Sequence, residues 1–137
     1  MTTTLQARER IYQTFLDEIG LDPATRVTFA NESFRPPVGQ SWVRLTVLHQ
    51  TGNQETLGGV GVRRFLRQGI IAVQLFFPLD TGMRDMDTLL ATARSIFEGR
   101  VLPGPIWCTD ANASEAGPVE GWYQFNIDTN FSYEEVR

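Results

Sequence analysis

Residues Val62–Gly99 read VRRFLRQGIIAVQLFFPLDTGMRDMDTLLATARSIFEG, and this stretch decides the fold class. Two runs in it, Val62–Arg67 and Ile70–Phe77, are rich in β-branched and aromatic residues, which is typical of strands. The pair Gln68-Gly69 between them suits a two-residue turn that requires a positive φ. The pattern therefore predicts a tight β-hairpin that ends at Pro78.

An amphipathic helix is predicted directly after this hairpin. Its apolar residues recur at spacings of three and four: Met86, Leu89, Leu90, Ala93, Ile96 and Phe97. Asp80 and Thr81 are the candidate caps, Asp85 and Asp87 fit the first turn, and Gly99 ends the pattern. Because these residues build a scaffold, we look for the function in surfaces, loops and assembly.

A second helix is predicted near the start of the chain. Thr3 and Gln6 have the spacing of a capping box, and Gly20 ends the segment. Its apolar face is predicted to contain Leu5, Tyr12, Phe15, Leu16 and Ile19. This apolar face requires a sheet to cover it.

The remaining patterns predict strands joined by polar connections. The strands are expected at Arg26–Phe29, Ser41–Leu48, Ile106–Thr109 and Trp122–Tyr133. The polar segments His49–Gly59 and Asp110–Gly121 are interpreted as long loops, and Glu134-Glu135 as a frayed tail. We therefore expect one α+β domain over residues 1–137, with two helices packed on one face of a mainly antiparallel or mixed sheet.

Composition excludes several classes of protein. The 137 residues carry a net charge of −4, which argues against a protein whose main task is to bind phosphate backbones. The single cysteine, Cys108, excludes an internal disulfide and is expected to be a buried hydrophobe. No apolar run is long enough for a membrane span, and the first residues do not resemble a secretion signal. We expect the chain to remain in the cytoplasm of the cell that makes it.

The sequence predicts no catalytic residues, no metal ligands and no cofactor. A nucleophile with its base, or a metal site, needs convergent groups, and the chain has one histidine and one cysteine. His49 is interpreted as a surface turn residue. Arg63, Arg64 and Arg67 form the only concentrated positive feature. They are either a solvated strand edge protected against aggregation or a docking patch for an acidic neighbour.

Five features of the chain form a common pattern: Asn31–Pro37, Ser41–Leu48, Arg67–Gly69, Val73–Pro78 and Gly82 before the helix. This pattern resembles the tail terminator family of long-tailed bacteriophages. The resemblance implies a small structural α+β protein without enzymatic activity. It also implies a ring, of six copies in this family, that caps the completed tail tube, stops tube polymerisation and joins the tail to the head.

The same resemblance implies the partners and the location. The partners would be further copies of the chain, the tail tube protein and a head-completion or connector protein, with DNA only passing through the lumen. The protein would act in the host cytoplasm during assembly and then lie at the head-proximal end of the virion tail.

A ring requires a head-to-tail contact whose rotation closes. We expect the sheet edge that carries Arg63, Arg64 and Arg67 to meet acidic residues of the next copy. The adjoining loop, with His49, Gln50, Asn53 and Glu55 as interface residues, is expected to become ordered on assembly.

Three other functions stay open at this point. The first is another ring protein of the head-to-tail junction, such as a head-completion or connector subunit. The second is a small cone-shaped α+β enzyme of the nuclear transport factor 2-like type, in which His49 and Asp128 would form an acid/base pair. A regulatory binding module is the third and has no specific support.

Overall fold

The computed structural model describes residues 2–137 and has two helices and a six-stranded sheet. The helices are α1 (Thr4–Glu18) and α2 (Arg84–Phe97). The strands are β1 (Val27–Phe29), β2 (Trp42–Gln54), β3 (Arg64–Pro78), β4 (Val101–Leu102), β5 (Ile106–Val119) and β6 (Trp122–Val136). The sheet has the order β1-β2-β3-β6-β5-β4, and only the β1/β2 pair is parallel. The predicted α+β class is confirmed.

Both helices pack on one face of the sheet and enclose the hydrophobic core. Phe15 of α1 and Phe97 of α2 stack with ring centroids 6.2 Å apart above the sheet. Strand residues such as Leu45, Leu75 and Phe125 point into the same core. Successive strand residues alternate between the two faces, so the intervening side chains form a second face that neither helix covers. We call this second surface the open face.

The first helix begins as its sequence predicts. The Gln6 backbone N–H donates to Thr3 Oγ1 over 3.2 Å, and the Thr3 N–H donates to Gln6 Oε1 over 3.0 Å. These two bonds complete the predicted capping box. Leu5, however, is exposed, because the buried face of the helix is formed by Ala7, Ile11 and Phe15.

The predicted caps of the second helix are wrong. The helix starts after Met83, with no capping side chain, and Asp80 and Thr81 belong to the preceding turn. The Thr81 hydroxyl donates to the carbonyl of Pro78 over 2.9 Å, so it is occupied within that turn. Asp85 and Asp87 do lie in the first helical turn, where negative charge is favourable.

The predicted tight turn at Gln68-Gly69 is also wrong, because β3 runs without interruption between β2 and β6. A Cβ atom at Gly69 would collide with the carbonyl oxygen of Leu48 and lie 2.8 Å from the Phe131 ring. This glycine therefore allows a close approach of neighbouring strands rather than a change of direction. The true hairpin joins β2 to β3 through residues 55–63.

Parts of three segments predicted as loops or as a tail are strands. The second strand continues through His49 to Gln54 with one register irregularity, whereas residues 55–59 are a loop as predicted, and the fifth strand continues to Val119 with two register irregularities. Glu134-Glu135 lies inside the last strand. These segments are polar because they border the open face or an outer edge, so they lack the apolar alternation of a half-buried strand.

The single cysteine, Cys108, is buried, and this burial raises the pKa of its thiol to about 11.

Neither helix within residues 2–137 is long and apolar enough to cross a membrane.

We predict that Gly69→Ala lowers the free energy of unfolding by about 1–3 kcal/mol, because the new methyl group overpacks the centre of the sheet. Gly59→Ala is the control, since a Cβ there meets nothing within 4 Å. Urea unfolding followed by tryptophan fluorescence measures both. Equal free energies of unfolding for the two variants would contradict the close-approach explanation.

Candidate subunit interface

The interface residues predicted from the sequence lie together at one end of the sheet. There the hairpin of β2 and β3 extends beyond the start of β5 and is supported on one side by the end of β6. We call residues 51–68 the arm, and the loop 55–63 at its end the tip. Asn53, Glu55, Arg63, Arg64 and Arg67 belong to the arm, whereas His49 and Gln50 lie at its base.

Arg67 forms an ion pair within its own chain. Its Nη2 and Nε atoms lie 2.9 and 3.0 Å from Glu135 Oε1, and the two side chains are only 23% and 13% exposed. The guanidinium also lies 5.0 Å from the centre of the Phe65 ring. This pair links the last strand to the arm, and Glu135 is therefore not part of a frayed tail.

The predicted position of the arginines at a sheet edge is wrong. The strand that begins at Arg64 has a neighbour on both sides, so its backbone groups are already paired. Arg64 approaches Glu134 at 3.8 Å, with 58% of the arginine side chain exposed. An ion pair this exposed contributes little to stability. Because most of the Arg64 side chain is exposed, its guanidinium is accessible to another molecule.

Arg63 has a different environment from the other two arginines. Its backbone pairs with that of Arg137, and its Nε donates to the Arg137 carbonyl over 3.3 Å. Four ion pairs form between residues 2 and 137, and Arg63 takes part in none of them. A carboxylate from another molecule would therefore compete only with the Arg137 contact for this guanidinium.

His49 faces the core side of the sheet, not a surface turn. Its Nε2 lies 2.8 Å from the hydroxyl oxygen of Tyr133, which in turn donates to Thr4 Oγ1 over 3.2 Å. Burial lowers the pKa of His49, and the positive charges of Arg8 and Arg67 lower it further against an opposing effect of Glu135. This chain of hydrogen bonds connects β2, β6 and α1 at the base of the arm.

Asp128 lies on the open face, opposite Ala72 in the register of β3 and β6. His49 contacts Phe131 and Tyr133 on the other face of the sheet. The sheet therefore separates the two side chains, and the acid/base pair of the enzyme alternative does not form.

The tip carries aliphatic side chains that the chain itself does not cover. Leu57, Val60 and Val62 are 95%, 88% and 68% exposed. These three residues are not among the interface residues predicted from the sequence, because three glycines interrupt the segment and no apolar periodicity remains. The sequence signal that could have indicated this apolar surface is the presence of apolar residues between glycines in a long hairpin connection.

A cluster of aromatic residues, also missed from the sequence, lies at the opposite end of β2 on the open face. Trp42 stacks on Phe76 with ring centroids 4.0 Å apart, and Trp122 meets Trp42 edge-on at 5.9 Å. The guanidinium of Arg44 lies 5.4 Å from the centre of the Trp42 ring. Together with Pro36, Val119 and Glu120, these side chains line a surface depression that we call the aromatic cleft.

The comparison with protein families decides the identity of the fold. A family model described as phage tail terminator protein matches residues 9–127. The chain belongs to the phage tail terminator family. The match confirms the family to which the sequence segments pointed.

Structural comparison shows that this fold occurs in solved structures. Twenty-five chains of known structure match the chain. One of them, a solved chain without a functional name, has a TM-score of 0.65 and 16% sequence identity, and covers 100% of this chain and 97% of its own length. At this identity the likeness concerns the fold alone. No curated protein sequence matches the chain.

Terminator-family proteins are structural and non-enzymatic. Residues 2–137 contain no group of three or more His, Cys, Asp or Glu side chains arranged to hold a metal ion. The arm and the aromatic cleft offer apolar contacts and charges instead. Such groups are suited to binding another protein.

We expect Glu135→Gln to lower the free energy of unfolding by about 1–3 kcal/mol, because it leaves the partly buried Arg67 without a carboxylate. Glu98→Gln, which removes the exposed pair of Arg94 and Glu98, is the matched control and should cost less than about 0.5 kcal/mol. Chemical denaturation measures both values. Equal losses would mean that the Arg67 pair does not anchor the last strand.

We expect the free energy of unfolding to decrease as the pH is lowered, because His49 becomes protonated more readily in the unfolded chain than in the folded one. Its pKa in the folded chain lies below the usual 6.5, so the unfolded chain takes up the proton first as the pH falls. The neutral imidazole of His49 makes its full contribution to the free energy of unfolding above pH 6.5. This contribution is lost progressively below that value. His49→Gln removes the one imidazole of the chain and is the natural reference.

The measurement is the difference in unfolding free energy between the wild type and His49→Gln from about pH 8 to about pH 5. We expect the advantage of the wild type to shrink as the pH falls. A difference that stays constant over this range would contradict the assigned burial.

Proposed function

We propose that the chain forms a hexameric ring that caps the end of the phage tail tube, stops its polymerisation and provides the surface for joining the tail to the head. The observation that carries this proposal is the terminator-family match over residues 9–127. The family establishes a structural protein of the phage tail. The ring, its number of copies and its position at the head-proximal end are our proposal.

The arm supports the proposed contact between copies. Its accessible polar residues include Asn53, Glu55, Arg63 and Arg64, and these would contact the next copy together with Gln50 at the base of the arm. Arg67 and His49 would contribute indirectly, because they hold the base of the arm through Glu135 and Tyr133. Of the predicted interface residues, Arg67 and His49 would therefore stabilise the arm and would not contact the next copy directly.

The open face supports a role beside DNA. Its middle is lined by Thr46, Ala72, Gln74, Ser114, Asn126 and Asp128, a set with one acidic and no basic side chain. A wall past which DNA slides should lack cations, because these would bind the phosphates. We therefore place this part of the open face toward the lumen, with DNA passing and not binding.

The remaining partners follow from the role of a cap. One side of the ring would bind the last layer of tail tube protein, and the other would bind a head-completion or connector protein. Assembly would take place in the host cytoplasm, and no cofactor is needed for contacts of this kind.

Light scattering across a concentration series and negative-stain images test the ring, with and without purified tail tubes. We expect six-fold rings with a central hole, and tubes that stop growing when the chain is added to polymerising tube protein. An unrelated acidic protein at equal concentration is the control. A monomer that tubes do not recruit, and that leaves their length unchanged, would contradict the proposal.

A further inference from the structure

We infer that the tip of one copy docks in the aromatic cleft of the next copy and forms the head-to-tail contact of the ring. This inference rests on the proposed function and specifies which surfaces meet. Its occupant is a second copy of this chain.

The tip has the character of a segment that is buried in the assembly. Leu57 and Val60 project from the loop almost completely exposed. Apolar side chains grouped in this way on a soluble protein mark an interaction site. They lie beyond the last paired residues of the hairpin, so the helices do not shield them.

The aromatic cleft has the complementary character. Trp42 is 5% exposed, and its indole Nε1 is buried without a hydrogen-bond acceptor among residues 2–137. The flat faces of Trp122 and Phe76 and the side chain of Val119 provide apolar walls. An entering loop would bring both aliphatic side chains and backbone carbonyls, and a carbonyl would supply the missing acceptor.

Charges at the two surfaces are also complementary. The cleft has the cation of Arg44 and the anion of Glu120 among its lining residues. The tip carries the anion of Glu55 at its start and the cation of Arg63 at its end. None of these four residues takes part in the ion pairs formed between residues 2 and 137. Docking therefore brings together opposite charges that are not already paired.

The length of the second strand shows why the occupant is another copy. The cleft lies at Trp42 and the tip follows Gln54, so the strand separates them by about 40 Å at roughly 3.3 Å per residue. An arm supported along one side by the last strand cannot bend back over that distance onto its own cleft. Two different surfaces of one chain that bind each other produce a ring when the rotation closes.

Charge reversal gives a direct test because one tip meets one cleft. Arg44→Glu alone places Glu55 against a glutamate, and Glu55→Arg alone places an arginine against Arg44. We expect each single variant to need at least a tenfold higher concentration for ring formation, measured by light scattering in the presence of tail tubes. Glu9→Arg on the first helix is the matched charge-reversal control and should assemble like the wild type.

Two combinations should restore assembly. The double variant Arg44→Glu/Glu55→Arg pairs the charges in the opposite sense in every contact. An equal mixture of the two single variants restores each contact as well, in a ring with alternating copies. Recovery in the mixture also demonstrates that the single variants are folded.

The apolar part of the contact has its own variant. Leu57→Ser/Val60→Ser changes only exposed side chains, so its unfolding free energy should match that of the wild type. Ring formation should again require at least a tenfold higher concentration.

The outcomes separate this inference from the proposed function. A wild type that forms no rings, alone or on tubes, overturns the proposed function and this inference with it. Rings formed normally by both single variants overturn the inference alone. Loss of rings without recovery in the double variant and in the mixture also overturns it, and indicates that the tip or the cleft binds the tube or head protein instead.

Discussion

The close packing of β2, β3 and β6 around Gly69 holds the molecule together. The missing side chain lets the Phe131 ring and the Leu48 carbonyl approach the central strand, and the three strands then pair along most of their lengths. This continuous pairing gives the sheet one face broad enough for both helices. It also leaves the arm protruding at one end, with Glu135 available to Arg67.

Local signals in the sequence predict the elements whose structure is determined by nearby residues. The capping box at Thr3 needs only residues three apart, and the alternation from Trp122 onward needs only the period of a strand. Both predictions are confirmed. Arg26–Phe29 is likewise a strand in the structure, within one residue of its predicted start.

Predictions fail where a distant strand determines the conformation. Gln68-Gly69 has the composition of a turn, but the reason for the glycine is a ring that lies 62 positions later in the chain, at Phe131. His49 looks like a polar loop residue, yet Tyr133 gives its imidazole a hydrogen-bond partner inside the fold. Polar strands at an outer edge, such as the later part of β5, cannot be distinguished from loops without knowledge of the neighbouring strand.

The candidate interface was only partly accessible from the sequence. The arginines stand out by their charge, but charge alone does not reveal that Arg67 forms an ion pair with Glu135 of its own chain, whereas Arg63 takes part in none of the four ion pairs formed between residues 2 and 137. The aromatic cleft requires residues from β2, β3 and β6 to meet on one face, which no local pattern encodes. The family match, by contrast, follows from the distribution of core residues and turns over nearly the whole chain.

The support that the last strand gives to the arm has a geometric consequence. A hairpin that pairs along one side with a third strand bends much less than an isolated hairpin, so the direction of the arm relative to its own sheet is fixed. In a ring built through such an arm, this direction sets the angle between successive copies and thereby the symmetry of the closed assembly. Loss of the Arg67–Glu135 link would loosen that angle, and the first sign would be rings of mixed size before assembly was lost.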